Sequence, residues 1–223
     1  SGDWSSDVCS SDLMARTEPF DINLVEYEDW FEEHQNAYRS ELKAVDAFIT
    51  KDIKAVEIGV GSGRFAAPLG IKYGVEPSKK MSEIARARGI ETKSGIAEDL
   101  PLENNTFDLA LMVTTLCFVD DVQRSFREAY RILKSGGSFV IGYIDKDSPV
   151  GKVYQKIKDQ DKFYRMASFY NTDEVVKYLK EAGFKDIRFK QTIFHSPMEM
   201  KKIDPVKDGY GEGSFVVVKA VKY

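Results

Sequence analysis

The sequence predicts an α/β fold: seven strands in a doubly wound sheet with helices on both faces. Three observations predict it. β-rich runs alternate with helical runs along most of the chain, the pattern of right-handed βαβ units. The run Asp108–Leu116 is almost continuously apolar, as a strand covered on both faces must be. Gly59, Gly61 and Gly63 stand between the first β-rich run and a helical one, at a strand's carboxyl end, where such sheets bind ligands.

The elements follow in order. Glu28–Ile49 is predicted as one helix, since Trp30, Phe31, Tyr38, Leu42, Val45 and Phe48 recur at three- and four-residue steps. Ile53–Ile58 is the first strand. Arg64–Leu69 opens a short helix that Pro68 cuts off. Tyr73–Glu76 is the second strand, and Pro77 or Ser78 caps a helix running to Arg88. Glu91–Ser94 is the third strand and Asp108–Leu116 the fourth. Val122–Leu133 is a helix stopped by Lys134-Ser-Gly-Gly137, and Ser138–Ile144 is the fifth strand. Residues 145–170 interrupt the alternation with polar and aromatic side chains. Thr172 caps a helix to Ala182 that Gly183 ends, and Phe184–Phe194 and Ser214–Lys222 are the last two strands.

Composition narrows the function. The 223 residues suffice for one sizeable domain, expected over 14–223. Ser1–Leu13 reads as a non-native, Ser/Asp-rich leader ahead of Met14. A net charge of −4 argues against a nucleic-acid partner gripped through its phosphates. The longest apolar run, Leu109–Val119, is too short to span a bilayer. Cys9 and Cys117 form neither a disulfide framework nor a zinc spacing, so a reducing cytoplasm is expected and no metal site stands out.

The strongest local signal is Val56-Glu-Ile-Gly-Val-Gly-Ser-Gly-Arg-Phe65. Arg64-Phe65 after the last glycine do not fit a phosphate-binding P-loop, and Arg64 stands where a dinucleotide fingerprint has Gly or Ala. Glu76 ends the second strand, where a carboxylate accepts hydrogen bonds from a ribose diol. With Glu57 one strand earlier, the pattern is that of a nucleoside site. Glu76 is otherwise an acid at a helix N-terminus, favoured by the dipole.

From these residues the chain resembles the class I S-adenosylmethionine (SAM)-dependent methyltransferases, in their small-molecule group. The matching stretches are Val56–Phe65, Gly74–Ser78, Gly95–Pro101, Phe107–Ala110, Phe126–Gly137 and Leu179–Phe184. The resemblance implies a Rossmann-like sheet, mostly parallel with an antiparallel last strand. It implies SAM as methyl donor, S-adenosylhomocysteine as product and a small-molecule acceptor. The glycine loop would carry the methionine and ribose portions, with Glu57 near the amino end. Glu76 would hold the ribose, Pro77 and Ser78 would flank the adenine, and Ala97 and Glu98 would meet its edge. Ile96 departs from the family, which often has Asp there. Thr114 at the tip of the fourth strand would face the methyl donor.

Two variable segments are expected to build the acceptor side: residues 20–50 as a helical lid and 145–170 as a pocket wall. Trp30, Phe31, Tyr38, Tyr154 and Tyr164 are the candidate substrate contacts, and each is equally readable as packing. His195, after the sixth strand, is the candidate general base, with His34 second. Two other readings stand beside the enzyme: a SAM-binding regulatory subunit, and an RNA or protein methyltransferase. Residues 113–118, Val-Thr-Thr-Leu-Cys-Phe, lack the Asn-Pro-Pro-Tyr type tetrad that would favour the latter.

Overall fold

A computed structural model describes residues 17–223. The leader, Met14 and Cys9 lie outside these described residues. Three helices, α1 (Glu18–Ile22), α2 (Leu24–Glu33) and α3 (Gln35–Asp46), precede β1 (Ala55–Ile58). The alternation then runs α4 (Ala66–Leu69), β2 (Tyr73–Val75), α5 (Lys79–Ala87), β3 (Glu91–Lys93), β4 (Phe107–Val113), α6 (Val122–Ile132) and β5 (Leu133–Ile144). It closes with α7 (Pro149–Ile157), α8 (Thr172–Glu181), β6 (Lys185–Thr192), β7 (Lys207–Asp208) and β8 (Phe215–Val221).

The strands form a single sheet in the order β3-β2-β1-β4-β5-β8-β6-β7. β1 to β5 are mutually parallel, and β8 is antiparallel to both β5 and β6. The sheet therefore has eight strands rather than the expected seven. The addition is the two-residue β7, an edge pairing of Lys190 with Asp208 and Gln191 with Lys207 that no hydrophobic alternation announces. The expected antiparallel last strand is present. Because β6 is antiparallel to an antiparallel neighbour, it runs with β1–β5 and delivers its carboxyl end to the same edge of the sheet.

Burial explains the order of the strands. β4 and β5 are central, and Leu109, Ala110, Leu111, Met112, Val140 and Ile141 are at most 1% exposed. One apolar layer lies between the sheet and α6 and α8, the other beneath α3, α4 and α5. No helix of the described residues is long and apolar enough to cross a membrane.

Local chemistry moved three boundaries. The single helix expected over 28–49 is broken at His34, whose backbone leaves the helical region (φ −113°, ψ 41°). Its Nδ1 lies 3.1 Å from the Trp30 carbonyl oxygen, so ring and backbone share that helical acceptor. β5 begins at Leu133 instead of Ser138, because Gly136 at φ +79° turns the chain while its amide donates to the Lys222 carbonyl. Asn171, not Thr172, caps α8: its side chain accepts from the Glu174 amide, and Glu174 accepts from the Asn171 amide. Residues 145–170 hold α7 and two short 3-10 turns.

Candidate functional site

At the carboxyl ends of the parallel strands lies a cavity of about 760 Å³, within the size range of small-molecule sites. Loops from β1, β2, β4, β5 and β6 reach it, and α1, α2 and residues 149–164 cover it.

The glycine loop makes one wall. All three glycines are at positive φ, yet they do different things. A Cβ on Gly61 would meet only the Tyr27 hydroxyl, at 3.4 Å, so Gly61 leaves cavity space open. A Cβ on Gly59 would collide with the Thr115 side chain, whose hydroxyl donates to the Gly59 carbonyl at 3.1 Å. A Cβ on Gly63 would stand 2.5 Å from Ile90 Cδ1, so Gly63 packs the loop on its neighbours, and it does not line the cavity. The three amides are occupied: Gly59 donates to Val75, Gly63 to Val60 and Gly61 to Glu76.

Glu76 and Glu57 are the polar residues of this wall. Glu76 accepts 2.8 Å bonds from the Gly61 and Ser78 amides, one on each oxygen. Burial pushes its carboxyl up to about 7, against the pull of those two amides. Glu57, 2% exposed, has its carboxyl raised well above the usual range by burial. Its Oε2 is buried without any hydrogen-bond partner. An orphaned buried acceptor beside a loop that leaves room above Gly61 is what a donor-bearing ligand would complete.

Pro77, Ser78, Ile96, Ala97, Glu98 and Thr114 also line the cavity. The Ser78 hydroxyl is engaged with Asp21 at 2.5 Å and with the Met81 amide. The Glu98 carboxylate turns to the Asp120 and Asp121 amides at 2.7 and 3.2 Å, leaving its backbone and stem for the cavity. Thr114 holds φ +52°, an uncommon conformation for a branched residue, at the point where β4 ends against the cavity.

The covering elements are fastened by charge and rings. Glu28 on α2 binds Arg64 of the glycine loop at 2.7 Å and Arg88 at 2.5 Å, while Arg88 also donates to the Ser62 carbonyl. Phe20 packs edge-on against Tyr27 and Phe118 and lies 5.5 Å from the Phe163 ring. Trp30, Phe31, Tyr154 and Tyr164 line the cavity, the two tyrosines stacked at 4.9 Å. Tyr38 does not line it. Its hydroxyl donates to the Arg64 carbonyl and its ring stands edge-on to Phe31 and Phe65, so it packs α3 on the loop. His34 stacks on Trp30 at the cavity wall.

His195 lies at the mouth with its side chain 65% exposed, and Nδ1 is 2.9 Å from Oδ1 of buried Asp204. Asp204 is fixed in turn by the Phe194 amide on Oδ2 and by its own amide donating to Ser40. Sequence reading missed Asp204, Tyr27, Glu28 and Glu41. Tyr27 was detectable, three and four residues before Trp30 and Phe31 on one helical face. Asp204 carried no local signal. No group of three or more His, Cys, Asp or Glu suited to a metal occurs among the described residues.

Comparison with known proteins gives one consistent result. The family of methyltransferase domains matches residues 56–141. A crystal structure from Thermotoga maritima, a "SAM-dependent methyltransferase, possible histamine N-methyltransferase", is similar at 50% identity and TM-score 0.90, covering 92% of this chain and 99% of that one. An uncharacterized protein of Methanocaldococcus jannaschii is 45% identical over 203 residues, 91% of this chain and 98% of its own length. A rice chloroplast 2-methyl-6-phytyl-1,4-hydroquinone methyltransferase is 28% identical over 163 residues, 67% of this chain but 44% of its own length.

Proposed function

This chain belongs to the SAM-dependent methyltransferases, and on that premise we propose that the cavity binds SAM along β1, β2 and β4 and delivers its methyl to a small molecule. The observation that carries this reading is the pairing of an open Gly61 with two buried carboxylates, Glu57 and Glu76, on adjacent strand tips.

Glu76 would hold the ribose hydroxyls on the acceptor sites its two amide bonds leave open. Glu57 Oε2, now unpartnered, would receive the amino end of the methionine portion. Pro77, Ser78, Ala97 and the Glu98 backbone would bound the adenine, and Ile96 offers it only an apolar face and main-chain groups. Gly63 supports the loop from outside the lining, while the Gly59 backbone borders the cavity beside Gly61.

Bound SAM supplies an already activated methyl, transferred by in-line displacement. The protein's part is to position the acceptor and exclude water. Orientation of this kind can supply ~7–11 kcal/mol of a bimolecular barrier. Residues 20–50 serve as the lid, fastened through Glu28, and 145–170 as the acceptor wall. Trp30, Phe31, Tyr154 and Tyr164 are the acceptor-facing rings. A proton released on methylation has to reach water, and His195, steadied by Asp204 at the exposed mouth, is placed to pass it on. The proposed setting is cytoplasmic, from the same cysteine usage noted in the sequence.

Glu76→Ala tests the donor site. It should weaken S-adenosylhomocysteine binding at least tenfold by calorimetry, the scale of a lost charged-group hydrogen bond, about 1.5–3 kcal/mol. Unchanged affinity with an intact fold would reject the assignment.

A further inference from the structure

The cavity holds a further buried carboxylate that the donor reading does not use. Glu41 lies on the inner face of α3, 5% exposed, and lines the cavity. Among the described residues it has no hydrogen bond and no ion pair. Burial alone pushes its carboxyl up to about 8. Tyr154 and Tyr164 feel its charge, which adds to burial in raising their hydroxyls. A largely buried carboxylate that opens on a cavity and has no protein partner costs stability.

The rest of the lining has the same sign. Among the described residues, eight Asp or Glu line the cavity and Arg64 is the only Lys or Arg that does. The Arg64 guanidinium is committed to Glu28 and Glu32. An acceptor bearing phosphate or carboxylate would find no unengaged Lys or Arg among these residues. A cation would find buried carboxylate together with Trp30, Phe31, Phe163, Tyr154 and Tyr164, rings that attract cations by ~0.5–2 kcal/mol each.

We infer that Glu41 is the acceptor-side anchor of the cavity: it binds the cationic nitrogen of an amine acceptor beside Tyr154 and Tyr164 and takes one proton from it. The inference rests on the donor reading above. The step balances. The ammonium gives a proton to the Glu41 carboxylate and becomes a neutral amine with a free lone pair. That pair forms the N–C bond while the methyl's bond to sulfur breaks and its electrons stay on sulfur. The product is a methylated ammonium, and Glu41 returns its proton to water. Burial makes this transfer easier, because a carboxyl near 8 is far closer to an alkylammonium, about 10.4, than an exposed one is. His195, exposed at the mouth, cannot supply the buried charge.

Calorimetry on the full chain saturated with S-adenosylhomocysteine tests this with three probes of one skeleton: phenethylamine, 2-phenylethanol and phenylacetate. The amine should bind at least tenfold tighter than the alcohol, and phenylacetate should not bind. Glu41→Gln should erase the amine's advantage while leaving the alcohol and S-adenosylhomocysteine affinities unchanged. Equal binding of amine and alcohol, preference for the alcohol, no amine binding, or an amine preference that survives Glu41→Gln would each overturn the inference. Should Glu41→Gln fail to fold by circular dichroism, the wild-type rank order of the three probes decides. Loss of S-adenosylhomocysteine binding in the wild type would instead strike the donor reading itself, so the two failures are distinguishable.

Discussion

Gly61 combines φ +54° with an empty Cβ position, and the two properties make separate predictions. The conformation costs an L-residue ~1–2 kcal/mol, so Gly61→Ala should fold with modestly lower stability. The added methyl would point into space claimed by the nucleoside, so S-adenosylhomocysteine affinity should fall at least tenfold by calorimetry. Retained affinity would show that no ligand approaches the loop there. His195 makes a weaker case for itself: with its ring largely in water, His195→Ala should slow turnover several-fold and leave donor affinity untouched in a binding titration. Glu57, Gly61 and Glu76, which the sequence marked as cofactor-binding candidates, all line the cavity, because a strand-tip motif is local. The sequence could not show that the Gly59 and Gly61 amides would be satisfied internally, since Val75 and Glu76 are brought to them by the pairing of β1 with β2.

At the scale of elements, α2 is tied by its charges to the glycine loop and to the end of α5, beside the apolar contacts of its rings. Glu28 bridges two arginines from separate elements, with its side chain 18% exposed. Both arginines hold its carboxyl below the usual range despite burial. Glu28→Gln should therefore destabilise the protein by about 1–3 kcal/mol in denaturant melts, as loss of charged hydrogen bonds does. Faster amide exchange should be confined to α1 and α2 and spare β4 and β5. Uniform acceleration throughout the sheet would mean that the bridge supports the core and not the cover. The break at His34 belongs to this scale too. It allows α2 to lie over the cavity while α3 packs on the sheet, and the unbroken hydrophobic period across 28–49 gave no warning of it.

For the whole molecule, three buried acids on one cavity set a pH dependence. Glu41 and Glu76 are raised from 4.5 to about 8 and about 7, and Glu57 is raised as well, all chiefly by burial. Between about 4.5 and 8 the native state keeps protons that the unfolded chain has released, so stability falls as pH rises through this window. Glu28, Glu128, Glu174 and Asp108 are shifted downward and act with the opposite sign, below the window. The melting temperature of the ligand-free protein should drop between pH 5 and 8.5, and Glu41→Gln should flatten the decline. A melting temperature that is level or rising over that range would contradict the burial of these groups in solution.

Most of the architecture was legible because it is written in short-range patterns: apolar runs of strand length, glycines at a turn, a Ser, Asp or Asn capping α5 to α8. By itself the sequence determined the α/β order and the family resemblance, which in turn implied the antiparallel close of the sheet. Tertiary structure decided which of the candidate residues share the cavity and which others join them. It brought Glu41 from α3, Tyr154 and Tyr164 from the insertion, and the His195–Asp204 pair from the far end of the chain to the β1 loop. It also turned Tyr38 away. The physical reason is that periodicity specifies which face of an element is apolar, whereas the neighbours of a buried charge depend on how distant elements cross, and no local pattern encodes that crossing.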